Sequence, residues 1–135
     1  MADYLFTSKR VSGFMKFSYD NQGVIIKFEN NAILDDEQLH FLTRNFPFAE
    51  ADLQKLVGKN GRIDEITDTS FQTFWNNYNY KKDRIKAEAA WKKLSEGEKA
   101  QAILGIPRYK YDCKLRNKEL VYPERYLKWR RFDDE

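Results

Sequence analysis

The residue pattern with the clearest chemical potential is a set of cations and aromatic rings in the second half of the chain. Four cations fall within six residues at positions 81–86, and cations alternate with tyrosines between residues 108 and 120. Cationic side chains neutralise phosphates, and aromatic rings can stack on nucleic-acid bases. The pattern is typical of a nucleic-acid surface, although a solvated loop whose tyrosines pack on neighbouring helices would show the same alternation.

Ten cations are the candidate phosphate contacts, and three tyrosines are the candidate stacking rings if single strands bind. The cations are Lys81, Lys82, Arg84, Lys86, Lys92, Lys93, Arg108, Lys110, Arg130 and Arg131. The rings are Tyr80, Tyr109 and Tyr111. Nothing in the sequence indicates base-specific readout, because that requires side chains aimed at base edges in a groove of the duplex.

The sequence contains no recognisable catalytic constellation. His40 is the only histidine and lies in the opposite half of the chain from the only cysteine, Cys113. A nucleophile–histidine pair and a zinc site are therefore not expected, and a solvated helix position is expected for His40. Acidic neighbours such as Asp35 and Asp36 have an ordinary explanation, because the start of a helix favours negative charge. We predict a binding protein rather than an enzyme, with no cofactor.

Charge divides the chain into two parts. Residues 1–68 carry eight Lys/Arg against eleven Asp/Glu, a net charge of −3, whereas residues 69–132 carry sixteen against seven, a net charge of +9. All three tryptophans also lie in the second part. We therefore predict a small lobe over residues 1–68 and a basic helical module over residues 69–135.

The composition favours a soluble globular protein. No apolar run approaches the roughly 18 residues that a membrane helix needs, and the amino terminus lacks the pattern of a secretory signal. A single cysteine suits a reducing compartment. We expect a cytoplasmic protein with no membrane partner.

The first lobe is predicted to have a ββαα order. Residues 14–19 and 24–29 are rich in β-formers and flank a turn-forming segment at residues 20–23, which predicts a β-hairpin. Alternation assigns the following side chains to one face of each strand: Met15, Phe17 and Tyr19, then Val24, Ile26 and Phe28. A helix is predicted from the acidic residues at 35–37 to a stop at Pro47, and a second over residues 51–57.

The second half is predicted to be helical. Phe71, Phe74, Trp75 and Tyr78 form an apolar stripe at helical spacing. A second helix is predicted over residues 82–94, and a third begins at a capping box of Ser95 and Glu98 and ends before Pro107. The predicted fold is α+β, with an N-terminal β-hairpin and two short helices packed on a C-terminal module of three to four helices.

Four motifs follow one another in the second half. They are Phe71-Gln72-Thr73-Phe74-Trp75-Asn76-Asn77-Tyr78, Ala87-Glu88-Ala89-Ala90-Trp91-Lys92-Lys93-Leu94, the later Tyr109, and Pro123-Glu124-Arg125-Tyr126-Leu127 with an aromatic-acidic end at Phe132-Asp133-Asp134-Glu135. This order and spacing resemble the C-terminal module of phage replication proteins of the replisome-organizer and helicase-loader type. Asn79 stands where that family usually has proline, and Phe132 where it usually has tryptophan. Residues 1–68 show no such resemblance.

The resemblance implies a role in phage DNA replication, in the cytoplasm of a bacterial host. We expect an accessory protein that binds DNA without sequence specificity, or that links DNA to the replication machinery, with a replicative helicase or another replication or host protein as a further partner. The alternative is a protein-interaction module, such as a host-factor inhibitor or a small virion component, whose basic face meets an acidic protein. A basic face suits any polyanion, so charge leaves both readings open.

Overall fold

The computed structural model describes residues 2–133, and its chain forms two compact units, Met1–Thr67 and Asp68–Glu135. The N-terminal unit combines a sheet with short helices, and the C-terminal unit is helical. The predicted α+β class is therefore confirmed.

The N-terminal unit contains an antiparallel four-stranded sheet with the strand order β3-β2-β1-β4. Its strands are β1 (Ala2–Ser8), β2 (Val11–Tyr19), β3 (Ile25–Asn30) and β4 (Gly61–Glu65). The predicted hairpin is β2–β3. Strands β1 and β4 were not predicted, because polar residues interrupt the apolar pattern of β1 and β4 has a single large apolar side chain, Ile63.

One face of the sheet forms the core of this unit. Met15, Phe17 and Tyr19 are buried there with Phe6, as the alternation of β2 predicted. Helix α1 (Asp36–Arg44) and a 3₁₀ helix (Glu50–Leu56) contribute three leucines to the same cluster: Leu42, Leu53 and Leu56. Burial of such side chains stabilises a fold by about 1.5–3 kcal/mol each.

The predicted inward face of β3 is wrong in part. Val24 and Ile26 are about half exposed, and Ile25 packs on the core instead. The cause is a register shift, since Ser18 pairs with Lys27 whereas Tyr19 pairs with Ile25. The extra residue reverses the alternation of the strand at that point, which a period of two along the sequence cannot reveal.

The C-terminal unit contains five α-helices and a short 3₁₀ turn over its described residues. They are α2 (Phe71–Tyr78), α3 (Arg84–Lys92), α4 (Glu96–Leu104), α5 (Ile106–Leu115), α6 (Pro123–Lys128) and the turn Arg131–Asp133. The three predicted helices correspond to α2, α3 and α4. Pro107 opens α5, where a missing backbone N–H is tolerated, rather than only ending α4. None of the described helices combines the length and apolar character needed to cross a bilayer.

Tyr126 of α6 lies at the centre of the C-terminal core. Its side chain is fully buried, with ring centroids 5.0 Å from Tyr78, 5.2 Å from Tyr109 and 5.9 Å from Phe74. Its hydroxyl donates a hydrogen bond of 2.8 Å to the Ala102 carbonyl of α4. Aromatic pairs of this kind add about 0.5–1.5 kcal/mol beyond the area they bury, so one ring holds α2, α4, α5 and α6 together.

Gly13 of β2 is a position where the sheet requires glycine. Its φ is +88°, and a Cβ at this position would lie 2.0 Å from the Asn31 carbonyl oxygen. Gly58 also has a positive φ, of +54°, but a Cβ there would meet nothing within 4 Å. A side chain at Gly58 would therefore meet backbone strain alone, whereas a side chain at Gly13 would meet backbone strain and a steric clash.

We predict that Gly13→Ala destabilises the N-terminal unit clearly more than Gly58→Ala does. The Gly58 variant should cost about 1–2 kcal/mol, the usual penalty for a Cβ in the left-handed region. The Gly13 variant adds the clash with Asn31, which only a shift of the backbone can relieve. Hydrogen–deuterium exchange of peptides from β1–β3 measures the difference, and equal exchange in the two variants would contradict the prediction.

Candidate nucleic-acid interface

The turn between α2 and α3 presents the first two predicted cations, Lys81 and Lys82. Both side chains are exposed. The turn is bounded by Asn79 and Asp83, whose φ angles of 54° and 53° are left-handed. Asparagine and aspartate tolerate this region better than most residues do, whereas proline cannot adopt it. The end of α2 in this chain therefore depends on a non-proline residue at position 79.

Arg84 is placed against the aromatic face of α2. Its guanidinium carbon lies 5.6 Å from the ring centroids of both Phe71 and Trp75, and its Nη2 donates a hydrogen bond of 3.0 Å to Gln72 Oε1. Cation–π contacts at such distances contribute about 0.5–1 kcal/mol at exposed sites. Arg84 therefore has a packing role in addition to its charge.

A groove of about 500 Å³ runs between α3 and α6. Four cations line it, and we call it the basic groove: Lys86, Lys93, Lys128 and Arg130. Its apolar lining comes from two alanines and two leucines of the same helices. Its one carboxylate, Glu124, forms an ion pair of 2.8 Å with Lys128. Lys128 was not among the predicted cations, because the resemblance drew attention to the Tyr126-Leu127 motif beside it.

Five lysines on α3 and next to its two ends have no carboxylate within ion-pair distance among the described side chains. They are Lys81, Lys82, Lys86, Lys92 and Lys93, and all five are exposed. Their charges are therefore not neutralised by a direct ion pair within the described part of the fold. Such a set of like charges attracts a polyanion.

Arg130 is engaged with the start of α4. It forms an ion pair with Glu98, which also accepts a hydrogen bond of 2.9 Å from the backbone N–H of Ser95 in the capping box. Burial alone would raise the pKa of Glu98, but the hydrogen bonds from Ser95 and Arg130 and the charge of Arg130 lower that pKa below its ordinary value. The contact ties the end of α6 to the cap of α4.

The cations of α5 differ in their surroundings. Arg108 is exposed. Lys110 Nζ donates a hydrogen bond of 2.9 Å to the Asn77 carbonyl near the end of α2, where helix carbonyls lack intrahelical partners. Lys110 therefore contributes to a helix cap as well as to the positive charge of this unit.

The three candidate stacking tyrosines lie in different environments. The ring of Tyr109 is partly buried and packs against the core, 6.3 Å from Tyr78, and its hydroxyl accepts a hydrogen bond of 3.2 Å from the Val121 N–H. Tyr80 is half-buried and meets Tyr122 edge-on at 5.6 Å. Tyr111 is 62% exposed. Of the three, Tyr111 presents the most open ring.

The outer face of α6 carries two rings and an arginine that the sequence reasoning missed, next to the predicted Arg131. Tyr122, Arg125 and Trp129 lie at positions i, i+3 and i+7, so they share one side of the helix. The guanidinium carbon of Arg125 lies 5.5 Å from the Tyr122 centroid and 5.6 Å from the Trp129 centroid. That of Arg131 lies 5.5 Å from Trp129. The helical spacing of Tyr122, Arg125 and Trp129 is the sequence signal that could have revealed this face.

The described residues hold no group of three or more His, Cys, Asp or Glu side chains arranged to bind a metal ion. His40 is exposed on α1, and Cys113 is buried in α5. The described surface of the C-terminal unit presents the charges of exposed lysines and arginines together with exposed aromatic rings.

Residues 66–130 match the family described as the Legionella vir region protein LvrA C-terminal domain. The match spans just under half of the chain and coincides with most of the C-terminal unit. The search of curated proteins and the search of solved structures each found no significant match. The C-terminal unit is therefore similar to a domain known by sequence, and that description states no activity.

We predict that Glu98→Gln lowers the free energy of unfolding at neutral pH by about 1–2 kcal/mol, because the charge facing Arg130 is lost while an acceptor for the cap remains. A carboxylate with a lowered pKa stabilises the fold fully above its unfolded pKa, and loses that contribution as pH falls through the folded pKa. The difference between wild type and variant should therefore vanish in acid.

Urea unfolding followed by tryptophan fluorescence measures this difference, because all three tryptophans lie in the C-terminal unit. Glu119→Gln serves as the control, since that carboxylate is exposed and has no ion pair with a described side chain. A stability difference for Glu98→Gln that does not change with pH would show that the charge is not responsible.

Proposed function

We propose that the protein binds DNA without sequence specificity, as an accessory factor in DNA replication of the kind that phages encode. The binding surface is the basic face of the C-terminal unit, by which we mean Lys81, Lys82, Lys86, Lys92 and Lys93. The observation that carries this proposal is the set of five exposed lysines around α3 without an ion-pair partner among the described side chains. Binding at phosphates would neutralise these charges and release the counterions that DNA holds.

The geometry of the basic face favours contact with the backbone of the nucleic acid. Lysine presents a flexible point charge, whereas recognition of a base usually relies on a planar group in a fixed position. Two arginines near this face, Arg84 and Arg130, already contact other side chains of the unit. This distribution of lysines and arginines supports contacts to phosphates, which position the protein without reading a base sequence.

The family match and the likeness to phage replication proteins support different parts of this proposal. The match to the LvrA C-terminal domain supports residues 66–130 as a recurring domain, and the description of that family connects LvrA with the vir region of Legionella. The replication role rests on the resemblance of residues 71–135 to phage replication proteins. The acidic N-terminal unit is the proposed contact for a replicative helicase or another protein. Asp134 and Glu135, at the acidic end, lie outside the described residues.

We predict that replacing four lysines of the basic face by glutamine removes most of the DNA binding. The variant is Lys81→Gln, Lys82→Gln, Lys86→Gln and Lys93→Gln, and it leaves Arg84 in place because that side chain packs on α2. Binding through about six phosphates should give a log–log slope of affinity against salt near −5, and the variant should bring the slope about 3 closer to zero. Fluorescence anisotropy with labelled DNA over a range of salt concentrations measures both slopes.

The matched control removes four exposed cations from the N-terminal unit, so that the net charge changes equally. It carries Lys9→Gln, Lys27→Gln, Arg44→Gln and Lys59→Gln. The proposal expects this control to keep the wild-type slope to within about 1. Absence of wild-type binding at the lowest salt would overturn the DNA proposal, and equal losses in the two variants would overturn the assignment to the basic face.

A further inference from the structure

The outer face of α6 forms a continuous series of side chains that we call the arginine–aromatic ladder. From one end to the other it consists of Tyr122, Arg125, Trp129 and Arg131. Each arginine lies within 5.6 Å of a ring centroid, and Arg125 contacts both rings. The opposite side of the same helix is fixed in the core by Tyr126 and Leu127.

The two rings of the ladder are open to solvent although they belong to a well-packed unit. Trp129 is 55% exposed and Tyr122 is 37% exposed, whereas Trp75 and Trp91 are almost completely buried. Tryptophan is costly to leave in water, because it carries the largest apolar surface of any side chain. The Trp129 ring nevertheless remains more than half exposed, with two guanidinium groups beside it.

We propose that the ladder is a stacking platform for unpaired bases, which makes single-stranded nucleic acid the preferred ligand of the C-terminal unit. The inference rests on the proposed DNA binding and identifies the class of nucleic acid. Bases would stack on Trp129 and Tyr122, and phosphates of the same strand would meet Arg125, Arg131 and the exposed Lys128. Unpaired bases offer their faces, whereas those of a duplex are stacked on one another.

The chemistry of the ladder favours this ligand over other polyanions. An acidic protein segment without aromatic side chains would satisfy the arginines but would leave the faces of the rings uncovered, and so would the outside of a duplex. A strand with exposed bases supplies both negative charge and flat apolar surfaces at short intervals. Arg125 is also held between two rings before binding, which reduces the side-chain entropy lost when a phosphate is bound.

The ladder also differs from the tyrosines that the sequence singled out. Tyr109 and Tyr80 are both partly buried, Tyr109 against the core and Tyr80 edge-on to Tyr122. Tyr111 is exposed at 62%, but no described guanidinium lies over its ring. Tyr111 is therefore the matched control for Trp129, because it is an exposed ring of the same unit outside the ladder.

The test compares the binding of the full chain to single-stranded oligothymidylate and to a duplex of the same length. Trp129→Leu keeps every charge and removes the ring, so the affinity for the single strand should fall about 5- to 150-fold, the effect of one stacked base. The affinity for the duplex should be unchanged. Trp129→Phe should recover part of the lost affinity, and Tyr111→Leu should change neither ligand.

Fluorescence gives a second measurement that does not depend on a variant. Tryptophan emission of the wild type should be quenched by oligothymidylate, and acrylamide should then reach the exposed tryptophan less readily. The quenching should be absent in Trp129→Leu, in which the buried Trp75 and Trp91 report that the unit remains folded. If that variant did not fold, Tyr122→Leu would take its place, with a smaller loss expected for the single strand only.

The outcomes separate this inference from the proposed function. No binding of either DNA by the wild type would overturn both. Binding of both DNAs with an equal loss, or with no loss, in Trp129→Leu would overturn the ladder and leave DNA binding standing. If polyglutamate quenched the tryptophan emission as strongly as oligothymidylate does, the ladder would be a site for an acidic protein and the inference would be wrong.

Discussion

The arrangement of the C-terminal unit depends on the burial of Tyr126. Helix α6 has only six residues, too few to be stable alone, and this ring and its neighbours attach it to the other helices. Once Pro123, Tyr126 and Leu127 face the core, helical geometry leaves two flanks for the remaining side chains. One flank meets α3 at the basic groove, and the other carries the arginine–aromatic ladder.

The fold sorts the cations of this unit into two groups. Arg84, Lys110 and Arg130 contact rings, a helix end or a carboxylate, so part of their interaction energy stabilises the unit itself. The five lysines around α3 have no such ion pairs with described side chains, and lysine keeps its charge in water at little cost. The proposed DNA binding uses these lysines, and the proposed preference for single strands uses the exposed rings of the ladder.

Much of the fold could be predicted from the sequence because the signals were local. The stripe from Phe71 to Tyr78 and the capping box of Ser95 and Glu98 each act within a few residues, and the structure confirms both. Strand β4 was missed because its pairing with β1 joins residues about 60 positions apart, such as Leu5 and Asp64, and β1 was missed because polar residues interrupt its apolar pattern. The shift that exposes Ile26 was missed because it depends on the partner strand.

The sequence by itself determined the class of the fold, the helical character of the second half and the concentration of positive charge there, because composition and periodicity are properties of neighbouring residues. Only the tertiary structure decided which cations remain without ion pairs and which rings remain exposed. Tyr109 and Trp129 illustrate the reason. Both stand in basic, aromatic segments, but the packing of α5 and α6 around Tyr126 covers most of the first ring and leaves the second more than half exposed. Exposure is a property of the assembled helices, so no local pattern could reveal it.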